Sequence, residues 1–219
     1  MDHAFGLSIP ITLDEVCDPD RTVLVVYDMQ VGIVSQIPTG REVTGRVQRV
    51  LQAARDGGFR VFFTRHMSLP NELAGVVQLR TAMAWQRVDH AAKTRPAFLR
   101  DSPQFQLVPE LTPSAGEAVF DKIAMSAFVG TPLDTALRDC GINSFVIVGI
   151  ALEIGIEPTV RHAMDLGYIP IVVEDACGWG DAAAAERAKA QLAFVGGSLA
   201  TDTDTIVGLL GRRRASSDG

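Results

Sequence analysis

The chain has 219 residues, 47% of them hydrophobic, which is enough to bury a full core and fits one domain better than two small ones. Its formal net charge of −6, without a basic stripe interleaved with aromatic residues, opposes a nucleic-acid or membrane partner and favours a small-molecule substrate. The N-terminus lacks a targeting pattern, and no apolar run approaches the roughly 20 residues of a membrane span. We therefore expect a cytoplasmic protein.

The first predicted strand covers residues 23–27, an apolar run too rich in β-branched residues to favour a helix. It ends on an acid, Asp28. An amphipathic helix is predicted from about residue 42 to residue 56, where two glycines stop it, and a second strand over 60–64. This order is that of a βαβ unit.

The middle of the chain is more mixed. Apolar spacing predicts a helix over 71–85, and the proline-marked segment 96–113 reads as a loop that covers a crevice. A short strand over 118–120 leads to Lys122, and a helix over 131–139 begins with proline at an early position.

A buried strand over 146–148 then runs through a glycine into a helix that begins near Glu153 and places Gly155 in its first turn. In an open α/β sheet such a turn lies above the carboxyl end of a strand, where the amides of a helix N-terminus point into a crevice. Ligands of these folds usually bind there.

The remaining elements continue the alternation of strands and helices. They are strands over 169–173 and 198–200 and helices over 181–194 and 203–210. Alternation predicts an α/β fold with a parallel sheet. We predict one domain over residues 1–211 and a disordered tail over 212–219, whose three arginines read as a solvated end.

Three of these features converge if their strands are neighbours: Asp28, Lys122 and the turn at Gly155. Each also has a purely structural interpretation. An acid at a strand end often caps the next turn, and a glycine can simply relieve crowding. The combination favours a functional crevice.

Cysteine and histidine placement predicts neither a metal site nor thiol chemistry, and no cofactor is expected. Cys17, Cys140 and Cys177 are odd in number and have no CxxC spacing, so reduced thiols are the default. Cys177 follows a predicted strand, but no histidine near it in the sequence suggests activation. His66 also follows a strand, yet it has no Asp-x-His pattern nearby that would support a metal site.

Taken in order, the segments resemble the isochorismatase-like, or cysteine hydrolase, superfamily from residue 23 to about residue 204. The resemblance rests on the letters YDMQ at 27–30, KIAMSAFVGTPL at 122–133, GIALEIGIEPTVRHA at 149–163 and DA at 175–176. It implies a three-layer, Rossmann-like fold with a six-stranded parallel sheet and helices on both faces. It also implies a homo-oligomer, either dimer or tetramer, and a cis peptide bond before residue 152.

Residue 155 is where the chain departs from part of this family. Its amidohydrolase members carry a nucleophilic cysteine there, whereas the true isochorismatases carry glycine and hydrolyse a vinyl ether without a covalent intermediate. By that resemblance Asp28 is a general acid, Lys122 positions substrate or water, and Gly155 leaves room and a free amide. The substrate-binding positions implied are Gln30, Phe128, Ala151 and Leu152, the last through a backbone N–H of an oxyanion hole.

Two alternatives stay open at this point. Because the flanking residues 157–162 resemble the amidohydrolase branch, the first alternative is an amide or ureide hydrolase whose nucleophile position is substituted. The second is a relative that only binds a small molecule. A lysine beside Asp28 favours the charged carboxylate, whereas a general acid needs its proton. His162 reads as a packed or surface histidine rather than a base. The sequence does not decide whether the crevice is lined by Trp85, Trp179, Arg65 and Arg87.

Overall fold

A computed structural model describes residues 1–212 of the chain, so most of the predicted tail, residues 213–219, lies outside the described residues. The chain begins with a two-stranded antiparallel hairpin of β1 (Asp2–Ala4) and β2 (Leu7–Ile9). Neither strand contains a buried residue, so no alternation of apolar and polar residues predicted the hairpin.

The other six strands form one parallel sheet, as predicted. They are β3 (Thr22–Tyr27), β4 (Arg60–His66), β5 (Ala118–Lys122), β6 (Ser144–Ile150), β7 (Ile169–Gly178) and β8 (Leu199–Thr201). Their order across the sheet is β5-β4-β3-β6-β7-β8, so β3 and β6 lie side by side at its centre. Both central strands are buried along their whole length, as β-branched runs in a doubly covered sheet should be.

Eight α-helices lie within residues 1–212. They are α1 (Leu13–Val16), α2 (Val31–Val34), α3 (Gly40–Asp56), α4 (Val76–Gln86), α5 (Leu133–Asp139), α6 (Glu157–Asp165), α7 (Ala182–Val195) and α8 (Thr203–Leu210). Short 3₁₀ turns follow at Ala91–Lys93, Pro103–Phe105 and Pro109–Leu111, and a π-helical turn, Leu152–Ile156, precedes α6.

The side chains of β3 alternate between two core layers. Leu24 and Val26 pack with residues of α3 and α8 on one face of the sheet. Val23, Val25 and Tyr27 pack with residues of α5, α6 and α7 on the other. Because successive strand residues point to opposite faces, this alternation builds the predicted three layers and sends Tyr27 toward α6.

Some boundaries differ from the sequence predictions. Helix α4 begins at Val76 rather than at residue 71, because the N–H groups of Leu73 and Ala74 turn back onto the carbonyl of Pro70. No residue of α4 is buried, so its apolar spacing does not mark a core face. The cis peptide bond joins Ile150 to Ala151, one residue earlier than predicted. None of the helices within residues 1–212 is long and apolar enough to cross a membrane.

Candidate active site

A cavity of about 530 Å³ opens at the carboxyl edge of the sheet, above the ends of β3, β4 and β6. It lies where a parallel α/β fold places its ligands. Its wall is formed by Tyr27, Asp28, Ile33, Gln36, Ile37, His66, Ala84, Trp85, Arg87, Phe98, Met125, Ile150, Ala151, Ile154, Gly155 and Gly180.

A buried ion pair lies at one side of this cavity. Lys122 Nζ is 2.7 Å from Asp28 Oδ2, and the two side chains are 0% and 5% exposed. The hydroxyl of Thr64 donates to Asp28 Oδ1 at 2.7 Å, and the same ammonium donates to the carbonyl of Ala124 at 3.2 Å. Both carboxylate oxygens therefore have a donor, which is what makes a buried charge tolerable.

The three residues predicted to converge do so, although their strands are not all neighbours. Strand β4 separates β5 from β3, so Lys122 must reach past one intervening strand to contact Asp28. Adjacent strands are about 4.8 Å apart, and the long lysine side chain covers that extra spacing. Asp28 itself leaves the strand with a φ of 48°, a left-handed conformation that aspartate tolerates better than most residues.

The surroundings of Gly155 differ from the prediction of open room and a free amide. A Cβ atom on residue 155 would lie 2.0 Å from Tyr27 Oη and 2.5 Å from its Cζ, so the ring of Tyr27 fills this space. The N–H of Gly155 donates to the carbonyl of Ala151 at 3.0 Å. The π-helical turn therefore uses this amide, and the strand before Asp28 supplies the side chain that occupies the space.

The predicted substrate-binding residues separate into two groups. Ala151 lines the cavity, and the N–H of Leu152 begins the π-helical turn, where helix geometry provides no acceptor within the turn. The side chains of Leu152 and Phe128 lie in the core layer beneath α5 and α6. Gln30 is fully buried and does not line the cavity.

Gln30 instead holds the end of β4 in place. Its Oε1 accepts from the N–H of His66 at 2.6 Å, and its Nε2 donates to the carbonyls of His66 and Phe105 at 3.0 and 2.9 Å. This clamp fixes His66 on the cavity wall beside the proline-marked loop. Gln30 thus supports the cavity through His66 and Phe105 rather than lining it.

His66, whose sequence context argued only against a metal site, is a residue of the cavity wall. It is the register partner of Lys122, and its ring packs edge-on against Phe98 from the loop. Burial lowers the pKa of His66, Lys122 lowers it further and Asp28 opposes the shift, so the imidazole is neutral at neutral pH. The signal was available in the sequence, because His66 ends a strand at the same edge as Asp28.

Two of the four residues that the sequence left undecided line the cavity. Trp85 and Arg87 line the cavity from the end of α4, and Trp179 does not. Arg65 forms an ion pair with Asp121 at 2.8 Å, whereas Arg87 has no acidic partner within the described residues. His162 is packed against Phe128, as predicted.

No cysteine lines the cavity wall in the part of the chain that the structure describes. Cys140 is exposed, Cys17 is half-buried and Cys177 is buried in the core. Burial raises the pKa of Cys177, as do nearby acids, so this thiol is not an activated nucleophile. No group of three or more acids, histidines or cysteines within residues 1–212 is arranged to hold a metal ion.

Comparison with known proteins agrees with this geometry. A family model described as the isochorismatase domain matches residues 22–204. Ureidoacrylate amidohydrolase RutB of Serratia proteamaculans (strain 568) is 32% identical over 176 residues, which are 72% of this chain and 70% of that protein. The chain therefore belongs to the isochorismatase family, and it is a hydrolase.

Solved structures show the same fold. A cysteine hydrolase from Pseudomonas syringae pv. phaseolicola 1448A superimposes with a TM-score of 0.74 at 24% identity, covering 89% of this chain and 94% of that one. N-carbamoylsarcosine amidase from Thermoplasma acidophilum does so with a TM-score of 0.67 at 25% identity, covering 84% and 97%. These likenesses confirm the predicted fold class.

The contact between Gly155 and Tyr27 gives a first prediction. Replacing Gly155 with alanine forces a methyl group into the buried ring, so the free energy of unfolding should fall by about 1–3 kcal/mol. The control is Gly45→Ala in helix α3, where an added Cβ meets nothing within 4 Å. That variant should be neutral or more stable, because alanine favours a helix over glycine. Urea unfolding compares the two, and equal stability would contradict the contact.

A second prediction concerns pH and His66. Because the folded state holds this histidine neutral, its contribution to stability is complete above the unfolded pKa near 6.5 and is lost as the pH falls below it. We expect His66→Asn to flatten the dependence of unfolding free energy on pH between about 7.5 and 5.5. Urea titrations at several pH values measure this slope. A variant slope as steep as the native one would show that another group is responsible.

Proposed function

We propose that this hydrolase cleaves a carbon–nitrogen bond in a small carboxylate-bearing ureide or amide, without a covalent intermediate. The observation that supports the proposal is a single one. Asp28, held by Lys122 and Thr64, is an acid–base group on a cavity wall that presents no thiol among the described residues. Glycine at position 155 then stands where a nucleophilic cysteine would be expected from the family's amidohydrolases.

In the proposed reaction Asp28 moves one proton. Its carboxylate accepts a proton from a water molecule as the water oxygen bonds to the substrate carbonyl carbon. The carbon–nitrogen bond then breaks, and Asp28 returns the proton to the leaving nitrogen, so the carboxylate is regenerated. Lys122 stabilises the carboxylate at the start and end of this cycle, and the N–H of Leu152 is suited to stabilise the oxyanion between the two steps.

The ion pair favours this order of events over protonation of a vinyl ether. Both oxygens of Asp28 accept a hydrogen bond, one from an ammonium and one from a hydroxyl, so the side chain is arranged as an acceptor rather than as a donor. The similarity to a ureidoacrylate amidohydrolase supports the same bond class. Vinyl-ether hydrolysis is retained as a second candidate because glycine occupies position 155.

The position of Arg87 on the cavity wall supports the proposal that the substrate carries a carboxylate. Arg87 lines the same cavity as Asp28, has a left-handed φ of 53°, and has no acidic partner within residues 1–212. The other arginine considered, Arg65, is paired with Asp121 and is not available. A planar guanidinium without a partner is suited to bind a carboxylate with two hydrogen bonds.

The proposal predicts that Asp28→Asn abolishes turnover. The asparagine keeps the size of the side chain but cannot carry the proton, so kcat/KM should fall by about 10²–10⁴-fold. Mass spectrometry follows turnover of 3-ureidopropionate, other small ureides and amides, and isochorismate. Asp139→Asn, at an exposed site on α5, is the matched control and should keep native activity.

Each outcome of that experiment decides between the candidates. Turnover of isochorismate alone would favour the vinyl-ether reaction. Turnover that persists in Asp28→Asn would contradict the role given to this residue. Native protein that turns over none of the panel would support the alternative of a relative that only binds its ligand.

A second experiment tests the carboxylate. Arg87→Gln should raise the KM for 3-ureidopropionate by about 10-fold or more with little change in kcat, because the interaction is the same in the bound substrate and the transition state. Propylurea, which has no carboxylate, should be hydrolysed equally by both proteins. Arg80→Gln, an exposed change on α4 away from the cavity wall, is the control. An unchanged KM in the Arg87 variant would remove this residue from substrate binding.

A further inference from the structure

Tyr27 is a cavity-wall residue to which the proposed reaction assigns no role. It ends β3 immediately before Asp28, is 2% exposed, and lines the same cavity as Asp28 and Gly155. Its hydroxyl oxygen lies 2.0 Å from the position of a Cβ atom on residue 155. The polar atom nearest to this part of the turn therefore comes from β3 and not from residue 155.

We propose that Tyr27 is a specificity-determining residue whose hydroxyl oxygen accepts a hydrogen bond from the N–H of the scissile group of the substrate. The inference rests on the proposed hydrolysis of a carbon–nitrogen bond and names the group that selects this bond class. It makes Tyr27 and Gly155 one functional unit, because the hydroxyl can occupy its place only while residue 155 has no side chain.

The contacts of the hydroxyl set its role as an acceptor. Tyr27 Oη donates its proton to the carbonyl of Met125, which also lines the cavity. A phenol has one donor and retains acceptor capacity, so an oxygen whose proton is committed in this way can act toward a ligand only as an acceptor. Burial, followed by the negative charge of Asp28, raises the pKa of Tyr27 well above its ordinary value of 10.0, and a hydrogen bond with the side chain of Thr159 opposes the shift, so the group stays a neutral phenol.

The ring is fixed in this position. Lys122 Nζ lies 4.4 Å from the centre of the Tyr27 ring, and the same ammonium holds Asp28. The ring also belongs to the core layer formed with α5, α6 and α7. A rigid acceptor next to the proton carrier can orient the leaving nitrogen toward Asp28.

Such an acceptor distinguishes nitrogen from oxygen. A ureide presents an N–H to Tyr27 Oη, whereas a carbamate or ester presents an oxygen in the same place and sets two acceptors against each other. Sites built to hydrogen-bond an N–H reject analogues that lack it, because a buried polar group is then left unpaired.

The test compares 3-ureidopropionate with its carbamate isostere, 3-(carbamoyloxy)propionate, in which oxygen replaces that N–H. Calorimetry measures the affinity of both ligands for Asp28→Asn, alone and combined with Tyr27→Phe, so that binding is measured independently of turnover. Phenylalanine keeps the ring and its contact with Lys122. We expect Tyr27→Phe to weaken the ureide by about 10-fold or more and to change the carbamate by less than about twofold.

Tyr168→Phe in the same background is the matched control. Tyr168 is the other tyrosine of the chain, it is buried, and its hydroxyl is 2.8 Å from Asp134 rather than on the cavity wall. This variant should leave the ratio of the two affinities unchanged. Equal weakening of both ligands by Tyr27→Phe, no weakening of either, or no binding of the ureide to Asp28→Asn would overturn the inference.

Turnover by the native protein and by Tyr27→Phe separates this inference from the proposed function. Hydrolysis of the ureide without any dependence on Tyr27 would overturn the inference alone. A Tyr27-dependent preference for the ureide in binding, without turnover by the native protein, would overturn the proposed function and support the inference.

Discussion

The candidate site depends on one buried ion pair. Asp28 and Lys122 are both almost inaccessible to water, and each is satisfied by the other together with Thr64 and the carbonyl of Ala124. Removal of one partner from such a pair typically costs about 3–5 kcal/mol, because it leaves an uncompensated charge in the interior. The pair therefore connects three strands, because Asp28 follows β3, Thr64 belongs to β4 and Lys122 ends β5. It fixes the register in which β4 is held between β3 and β5 at the edge where the cavity opens.

The ion pair also sets the electrostatics of the cavity. The carboxylate and the ammonium neutralise each other at one side, His66 is neutral, and the guanidinium of Arg87 is the cationic group on the wall that lacks an acidic partner within residues 1–212. Under the proposed function, the proton carrier and the substrate anchor come from different parts of the fold, Asp28 from the sheet edge and Arg87 from the end of α4.

The sequence predicted those features that local patterns encode. Buried β-branched runs gave the strands of the parallel sheet, and an acid directly after the first of them marked Asp28. The start of α4 was wrong because that helix has no buried face, and the hairpin at the N-terminus was missed for the same reason. Arg87 is contributed by a segment whose position over the cavity depends on long-range packing, which no local period reports, whereas His66 ends a strand at the same edge as Asp28 and could have been found.

The contact between Tyr27 and Gly155 is the clearest case of a feature that sequence reasoning about single positions could not find. The two residues are 128 positions apart, and each alone has a plain structural interpretation, a core aromatic and a glycine that relieves crowding. The ring of Tyr27 leaves no space for a side chain at residue 155, and a side chain at residue 155 would displace the ring. A cysteine at 155 would meet the tyrosine ring, so the present position of Tyr27 requires glycine there. Introducing thiol chemistry in this site would therefore require a smaller residue at position 27 together with the cysteine, because the space for its side chain is already occupied.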